Sequence, residues 1–392
     1  MKMRLFTLFV LIIGLSLMSG TPGAVARGAD PTANPAAAQE QSQHVRLVDI
    51  LGGYMGGVTV QGNYAYIGVG YRFIILDVSD PAQPAVVGQS GLLLDSVRDI
   101  VAAGSYAYVA AAGAGLYIFN ISNPAAPAWV GVCDTPGLAQ GVALVGSYAY
   151  VADFDQGLRV VDISNPAAPT EIGFYDTPRF ARGLAVAGSY AYVADFDRGL
   201  RVIDISDPAA PVEVGFYDPP AGESLSVAVV GDYAYLADIT ATGVGGGLRV
   251  VDISNPAAPT QVGYHSTECN WATDVVVAGD YAYVAAGGCH LVILDISEPT
   301  SPTLTSMLSA SGMGDGVALD GPIAYVGNSY GLNVVDVSDP AAPKQVDFYP
   351  TTAWLQRVAV SDDYIYATAE FDGLFILQYL PHSIYLPMVT RN

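Results

Sequence analysis

Short runs in which large and small apolar residues alternate recur along this chain at intervals of about 42 residues, eight times in all. The unit is plainest at 157–169 (GLRVVDISNPAAP), 199–211 (GLRVIDISDPAAP) and 247–259 (GLRVVDISNPAAP), each preceded by a YAYVA-type segment. In residues 140–176 an apolar run (142–145) meets the turn Gly146-Ser147, and YAYVA follows at 148–152. A short acidic loop leads to 158–163, and the turn at 164–169 precedes 171–175. Period-two alternation, β-branched and aromatic residues, and Gly, Asn and Pro punctuation predict four strands per unit.

The YAY strand begins at Tyr64, Tyr106, Tyr148, Tyr190, Tyr233, Tyr281, Ile323 and Tyr364, and its partner at Phe73, Leu116, Leu158, Leu200, Leu248, Leu291, Leu332 and Leu374. A fourth strand follows only seven of these pairs. Residues 44–50 (HVRLVDI) stand ahead of the first pair, where the missing strand is needed to close a ring. The expected fold is all-β: an eight-bladed β-propeller of four-stranded blades, closed by its N-terminal strand, which removes exposed sheet edges. Both tyrosines of YAY point to one face and the alanine to the other, so a Tyr of one blade is expected over an Ala of the next. Fifteen of the 25 tyrosines lie in these segments, which makes them packing residues rather than a ligand platform.

These motifs closely resemble the LVIVD-repeat family, named for the strand read here as Leu158-Arg159-Val160-Val161-Asp162. The resemblance spans about residues 44–379 and implies a secreted or surface-exposed propeller, with no general enzymatic activity to carry over. The motif aspartate recurs at Asp77, Asp162, Asp204, Asp252, Asp295 and Asp336, and departs to Asn120 and Gln378. Its loss at two positions points to a turn-stabilising role.

Composition agrees with short strands and tight turns: 52% hydrophobic and 13% charged residues, with 43 Gly and 25 Pro. Residues 1–26 read as a signal peptide: Lys2 and Arg4 precede an apolar stretch at 5–18, and Ala24-Val25-Ala26 is a cleavage site. Residues 27–43 read as a flexible leader, 44–380 as the propeller and 381–392 as a C-terminal tail with a candidate attachment role. The expected location is extracellular or the cell surface, with no transmembrane segment after cleavage and a monomeric state. The net charge of −22, or −24 without Lys2 and Arg4, disfavours nucleic acid and anionic membranes and favours cations or a basic protein.

Candidate chemistry falls on the face that holds the variable loops. The entrances to the inner strands supply Arg98, Asp99, Gln140, Arg182, Asp274, Asp315, Gln356 and Arg357, a candidate ligand site at the channel mouth and equally a solvated lining. Alternate carboxylates after the YAY strand, Asp153/Asp155, Asp195/Asp197 and Glu370/Asp372, are candidate Ca²⁺ ligands or plain hairpin turns. Residues 239–246, rich in Gly, lengthen the fifth unit as a candidate flap. In the sixth unit Cys269 and Cys289 emerge at one end of a predicted hairpin, as a disulfide or, with His265 and His290, a metal site; Cys133 is left as a free thiol. No Ser-His-Asp pattern is present. The leading expectation is a non-enzymatic module binding a protein or glycan. The alternative is a cell-envelope hydrolase or lyase using mouth carboxylates and a bound cation, and a surface-layer component is a third reading.

Overall fold

The YAY strands lie second from the axis in every blade, and their alternation sets how the sheets meet. In the computed structural model, described at residues 45–51, 55–79, 85–220, 222–240, 246–267, 271–310, 312–351, 354–361, 364–369 and 373–379, eight four-stranded antiparallel sheets form a ring. We number the blades 1 (55–89), 2 (99–133), 3 (141–175), 4 (183–217), 5 (223–266), 6 (274–308), 7 (314–350) and 8 (355–379). The fourth strand of blade 8 is the N-terminal strand Val45–Leu51, which pairs antiparallel with Gly373–Tyr379. The eight-bladed, N-terminally closed propeller expected from the repeat is the fold observed.

Each of eight apolar clusters bridges one seam between blades. Tyr150 of blade 3 packs with Ala191 and Val193 of blade 4, and Tyr192 with Ala234 and Leu236 of blade 5. The ring closes where Tyr366 of blade 8 meets Ala65 and Ile67 of blade 1. The large ring over the small side chain lets neighbouring sheets interlock without voids.

Glycines complete the fit at both edges of the blades. On the outer strands, a Cβ at Gly131, Gly173, Gly215 or Gly263 would lie 2.2–2.4 Å from the carbonyl oxygen of the first proline in the next blade's Asn-, Asp- or Glu-Pro turn. Blade 6 has Ser306 there, and its hydroxyl donates to the Pro340 carbonyl at 2.6 Å. On the inner strands, a Cβ at Gly57 would lie 2.6 Å from Asp99 Cα, and one at Gly316 2.4 Å from the Gln356 carbonyl.

The two ends of the ring differ. One carries the short hairpins and Asn/Asp-Pro turns. There Asp77, Asp162, Asp204, Asp252, Asp295 and Asp336 each accept a hydrogen bond from the serine N–H two residues on. Asn120 accepts the same bond from Ser122, so the departure in blade 2 keeps the turn. The other end carries the loops into each inner strand and the loops after each YAY strand. Residues 1–44 and 380–392, which include the signal, leader and tail expectations, lie outside the described residues, as do 241–245 of the fifth-unit insertion.

Gly173→Ala is expected to destabilise the fold by about 1–3 kcal/mol through overpacking. Gly141→Ala is expected to be near neutral, since the nearest atom to its Cβ is 3.8 Å away. Chemical denaturation of the two variants beside wild type checks the contrast.

Candidate functional site

Close packing of the inner strands leaves a cavity of about 440 Å³ on the axis. Seven of the eight residues expected at the channel mouth line it: Asp99, Gln140, Arg182, Asp274, Asp315, Gln356 and Arg357. Arg98 does not; in blade 2 the channel position is taken by the next residue, Asp99, on the opposite side of the strand. Ser226 and Thr273 add hydroxyls, and blades 2 to 8 all contribute to the wall.

Two of these carboxylates brace the ring. Asp99 of blade 2 accepts from the Val142 N–H of blade 3 at 3.0 Å. Asp274 of blade 6 accepts from the Ser226 hydroxyl of blade 5 at 3.0 Å, its neighbour Val275 N–H at 3.0 Å and the Val317 N–H of blade 7 at 3.3 Å. Asp99 is partly buried at the cavity wall, and desolvation raises its pKa against the opposing pull of Arg357 and the two backbone donors. Arg182 stands at the mouth with its guanidinium 5.5 and 5.3 Å from the ring centres of Phe154 and Phe196. Phe180 stacks on Phe154 at 4.3 Å, and Arg179 lies 5.7 Å over Phe180 while pairing with Asp197 at 3.0 Å. Phe154 and Phe196 hold φ of 49° and 50°, a left-handed conformation costly for an aromatic residue.

In blades 3 and 4 the alternate carboxylates after the YAY strand do not share a face, so the expected pairing of Asp153 with Asp155 and of Asp195 with Asp197 as calcium ligands is corrected. Asp153 and Asp195 end their strands pointing inward and are fully buried. Asp153 accepts from the Thr135 hydroxyl at 2.7 Å and the Gly137 N–H at 2.8 Å, and lies 3.8 Å from Arg159 Nε. Asp195 accepts from the Arg179 N–H at 3.1 Å and lies 3.5 Å from Arg201 Nε. Asp155 is exposed and Asp197 is taken by Arg179. Glu370 and Asp372 lie outside the described residues. The left-handed turn at Phe154 and Phe196 separates the two carboxylates of each loop.

Sequence reading missed the partner of these aspartates. Arg159, Arg201 and Arg249 are buried on the third strands, and each is covered by an outer-strand aromatic, Phe174, Phe216 or Tyr264, at 4.6–4.9 Å. Arg249 pairs with buried Asp238. The signal was present: the aspartate and the arginine occur together in blades 3, 4 and 5, both are missing from blades 2 and 6, and blade 7 has Asn328 and Asn333 in their places.

In the sixth blade Cys289 is disulfide-bonded, and Cys269 lies outside the described residues; Cys133, at the end of the outer strand of blade 2, is a free, buried thiol. A disulfide sulfur is no thiolate ligand, which counts against the metal alternative. His290 is buried, its Nε2 is 2.7 Å from the Asn328 amide nitrogen, and burial lowers its pKa to about 4. His265 lies on the outer strand Thr260–Ser266. Among the described residues no three His, Cys, Asp or Glu side chains converge as a metal site.

A family model described as LVIVD repeat matches residues 52–90, 96–135, 136–177, 178–219, 221–267, 271–308 and 311–351. Comparison with curated proteins yields no match. Among solved structures, the computationally designed Ika8 protein superposes with a TM-score of 0.71 at 11% identity, over 85% of this chain and 98% of that one. BamB from Moraxella catarrhalis gives 0.64 at 13% identity, over 86% and 98%. Sqt1 from Chaetomium thermophilum, solved bound to the N-terminus of the ribosomal protein L10, gives 0.68 at 12% identity, over 83% and 97%. At these identities the likeness is one of fold.

Burial raises the pKa of Asp153 and of Asp195 to about 6, against their hydrogen bonds and arginines. The folded state therefore binds these protons more tightly than the unfolded chain, and stability is lost as pH rises from about 4 to about 6. A displacement from 3.8 to about 6 corresponds to roughly 3 kcal/mol per group. The turn aspartates, lowered first by their serine side chains and then by the serine N–H groups, act the other way and lose stability below about pH 4. Thermal denaturation from pH 3 to 8 is expected to show a maximum at about pH 4 and a fall toward about pH 6. Asp195→Asn is expected to flatten the alkaline side; an unchanged profile would reject this assignment.

Proposed function

The chain belongs to the LVIVD repeat family, and on that premise we propose that it is a secreted or cell-surface propeller that binds a protein or glycan through its variable loop end, without catalysis. The observation that carries this reading is the axial cavity. Its wall comes from seven blades, and two of its carboxylates, Asp99 and Asp274, hold neighbouring blades together through backbone N–H groups. A carboxylate engaged by fixed donors on neighbouring blades is tied in place as a strut. Gln140, Arg182 and Arg357 line the same wall, and their amide and guanidinium groups suit recognition of a polar group.

The two ends of the ring support the same division. The turn end repeats one capped turn in blade after blade, whereas the loop end varies in length and side chains, as binding surfaces on rigid scaffolds do. Sqt1, a fold relative, was solved with the N-terminus of a partner protein bound; this is consistent with a propeller serving as a docking platform. The basic, apolar and A-x-A segments at 1–26 support export, and an oxidising compartment suits the disulfide at Cys289.

Two measurements test the reading. A reporter active only outside the cytoplasm, fused after residue 43, is expected to be exported and cleaved near Arg27; retention inside the cell would reject the location. The mature chain is expected to bind without turnover when panels of envelope glycans and peptides are followed by mass spectrometry. Product formation that disappears in Asp274→Asn and Asp315→Asn would establish the hydrolase or lyase alternative instead.

A further inference from the structure

The loops entering the inner strands place an apolar residue around the mouth in six of the crossovers: Leu94, Leu138, Phe180, Trp271, Met313 and Trp354. Leu94 is 86% exposed, Trp271 41% and Trp354 40%. Exposed tryptophans grouped with leucine and methionine are what the centre of a protein interface is made of. Leucine and methionine offer no flat face to a sugar ring, which favours a polypeptide over a glycan.

The two sides of this ring are filled differently. At blades 3 and 4 the chain supplies its own cations: Arg182 lies against Phe154 and Phe196, and Arg179 against Phe180. At blades 6 to 8 the crossovers carry Trp271, Met313 and Trp354, and the cavity wall of those blades carries the two carboxylates Asp274 and Asp315 against one guanidinium, Arg357. Among the described residues no guanidinium or second ring stacks on Trp271 or Trp354. Tryptophan faces next to carboxylates form the surroundings a Lys or Arg side chain requires, through cation–π attraction and charge. The chain as a whole carries −22, which steers a basic partner toward it and an acidic one away.

We propose that the arc of blades 6 to 8 is the docking site for a basic segment of a partner protein, with apolar side chains resting on Trp271, Met313 and Trp354 and a Lys or Arg directed toward Asp274 and Asp315. This rests on the binding reading above and gives it a partner class.

The test selects random dodecapeptides displayed on phage against the full mature chain and, in parallel, screens it on a printed array of bacterial glycans. Selected peptides are expected to pair Lys or Arg with aromatic or aliphatic residues. A synthetic copy is expected to lose at least about tenfold in affinity with Trp271→Ala, Trp354→Ala or Asp315→Asn, and to weaken as salt rises. Trp129→Ala, a 62% exposed tryptophan on the outer strand of blade 2, is the control and is expected to bind as wild type. Because Trp271 and Trp354 are exposed, their variants are expected to keep the wild-type melting temperature, which separates lost binding from lost folding. Acidic consensus peptides, or binding indifferent to the tryptophans, would overturn the proposal. A glycan whose binding the tryptophan variants abolish would overturn it too, while leaving the broader binding function standing. Failure of both libraries would count against both.

Discussion

The distance between neighbouring sheets is the quantity on which this protein depends. Eight sheets share one axis, so an excess at any seam is passed to the others until the ring no longer closes. The chain holds the spacing by putting almost nothing at fixed points: Ala65, Ala107, Ala149, Ala191, Ala234, Ala282 and Ala324, all fully buried, beside the tyrosines of the preceding blade, and glycine on the outer strands against the next blade's proline turn. Substitutions at these points come with a compensating bond. Ser306 replaces an outer-strand glycine and donates to the turn it would otherwise crowd. Asp347, at the same place in blade 7, accepts from the Val45 N–H of the closing strand. The axial cavity and the height of the loops around it follow from this spacing.

On that frame the loop end is divided electrostatically. Blades 3 to 5 carry buried arginine–aspartate pairs that also hold the incoming loops: Asp153 takes the Gly137 N–H just before Leu138, and Asp195 takes the Arg179 N–H just before Phe180. Buried pairs of this kind add little net stability, because desolvation offsets most of the attraction. They fix geometry instead, since either partner alone would be a stranded charge. Blade 6 has Ala286 and Val292 in these places, and blade 7 has Asn328 and Asn333. There the Met313 N–H is held by the Ser329 hydroxyl at 3.0 Å, a neutral substitute for the same anchor.

Much of this was legible in the chain because it is written eight times. Tyr–Ala alternation gave blade packing, and the count of fourth strands gave ring closure by residues near 45–51. Seven of the eight channel residues could be placed because the inner-strand entrances align in every repeat; Arg98 misled because adjacent strand positions face opposite ways. The direction of Asp153 and Asp195 was harder to read. Spacing of two residues suggests a shared face only if the backbone stays regular, and the left-handed turn at Phe154 and Phe196 breaks that rule. Their burial beside Arg159 and Arg201 was visible only by comparing blades with one another. The apolar collar escaped notice because its members sit in loops of unequal length, aligned by the strand that follows them rather than by the one before.

The pairing of Val45–Leu51 with Gly373–Tyr379 also sets a timetable. The first strand of the ring to leave the ribosome is the last to find its place, since its partner is made more than 300 residues later. At ordinary rates of synthesis that interval is on the order of tens of seconds. During that time blades 1 to 7 can assemble side by side, but the arc stays open at both ends and the N-terminal strand stays unpaired. Charges at Arg46 and Asp49 interrupt its apolar run, which limits false pairing while it waits. A propeller closed in this way keeps an open edge until residues 373–379 have been made, however well its other blades have packed.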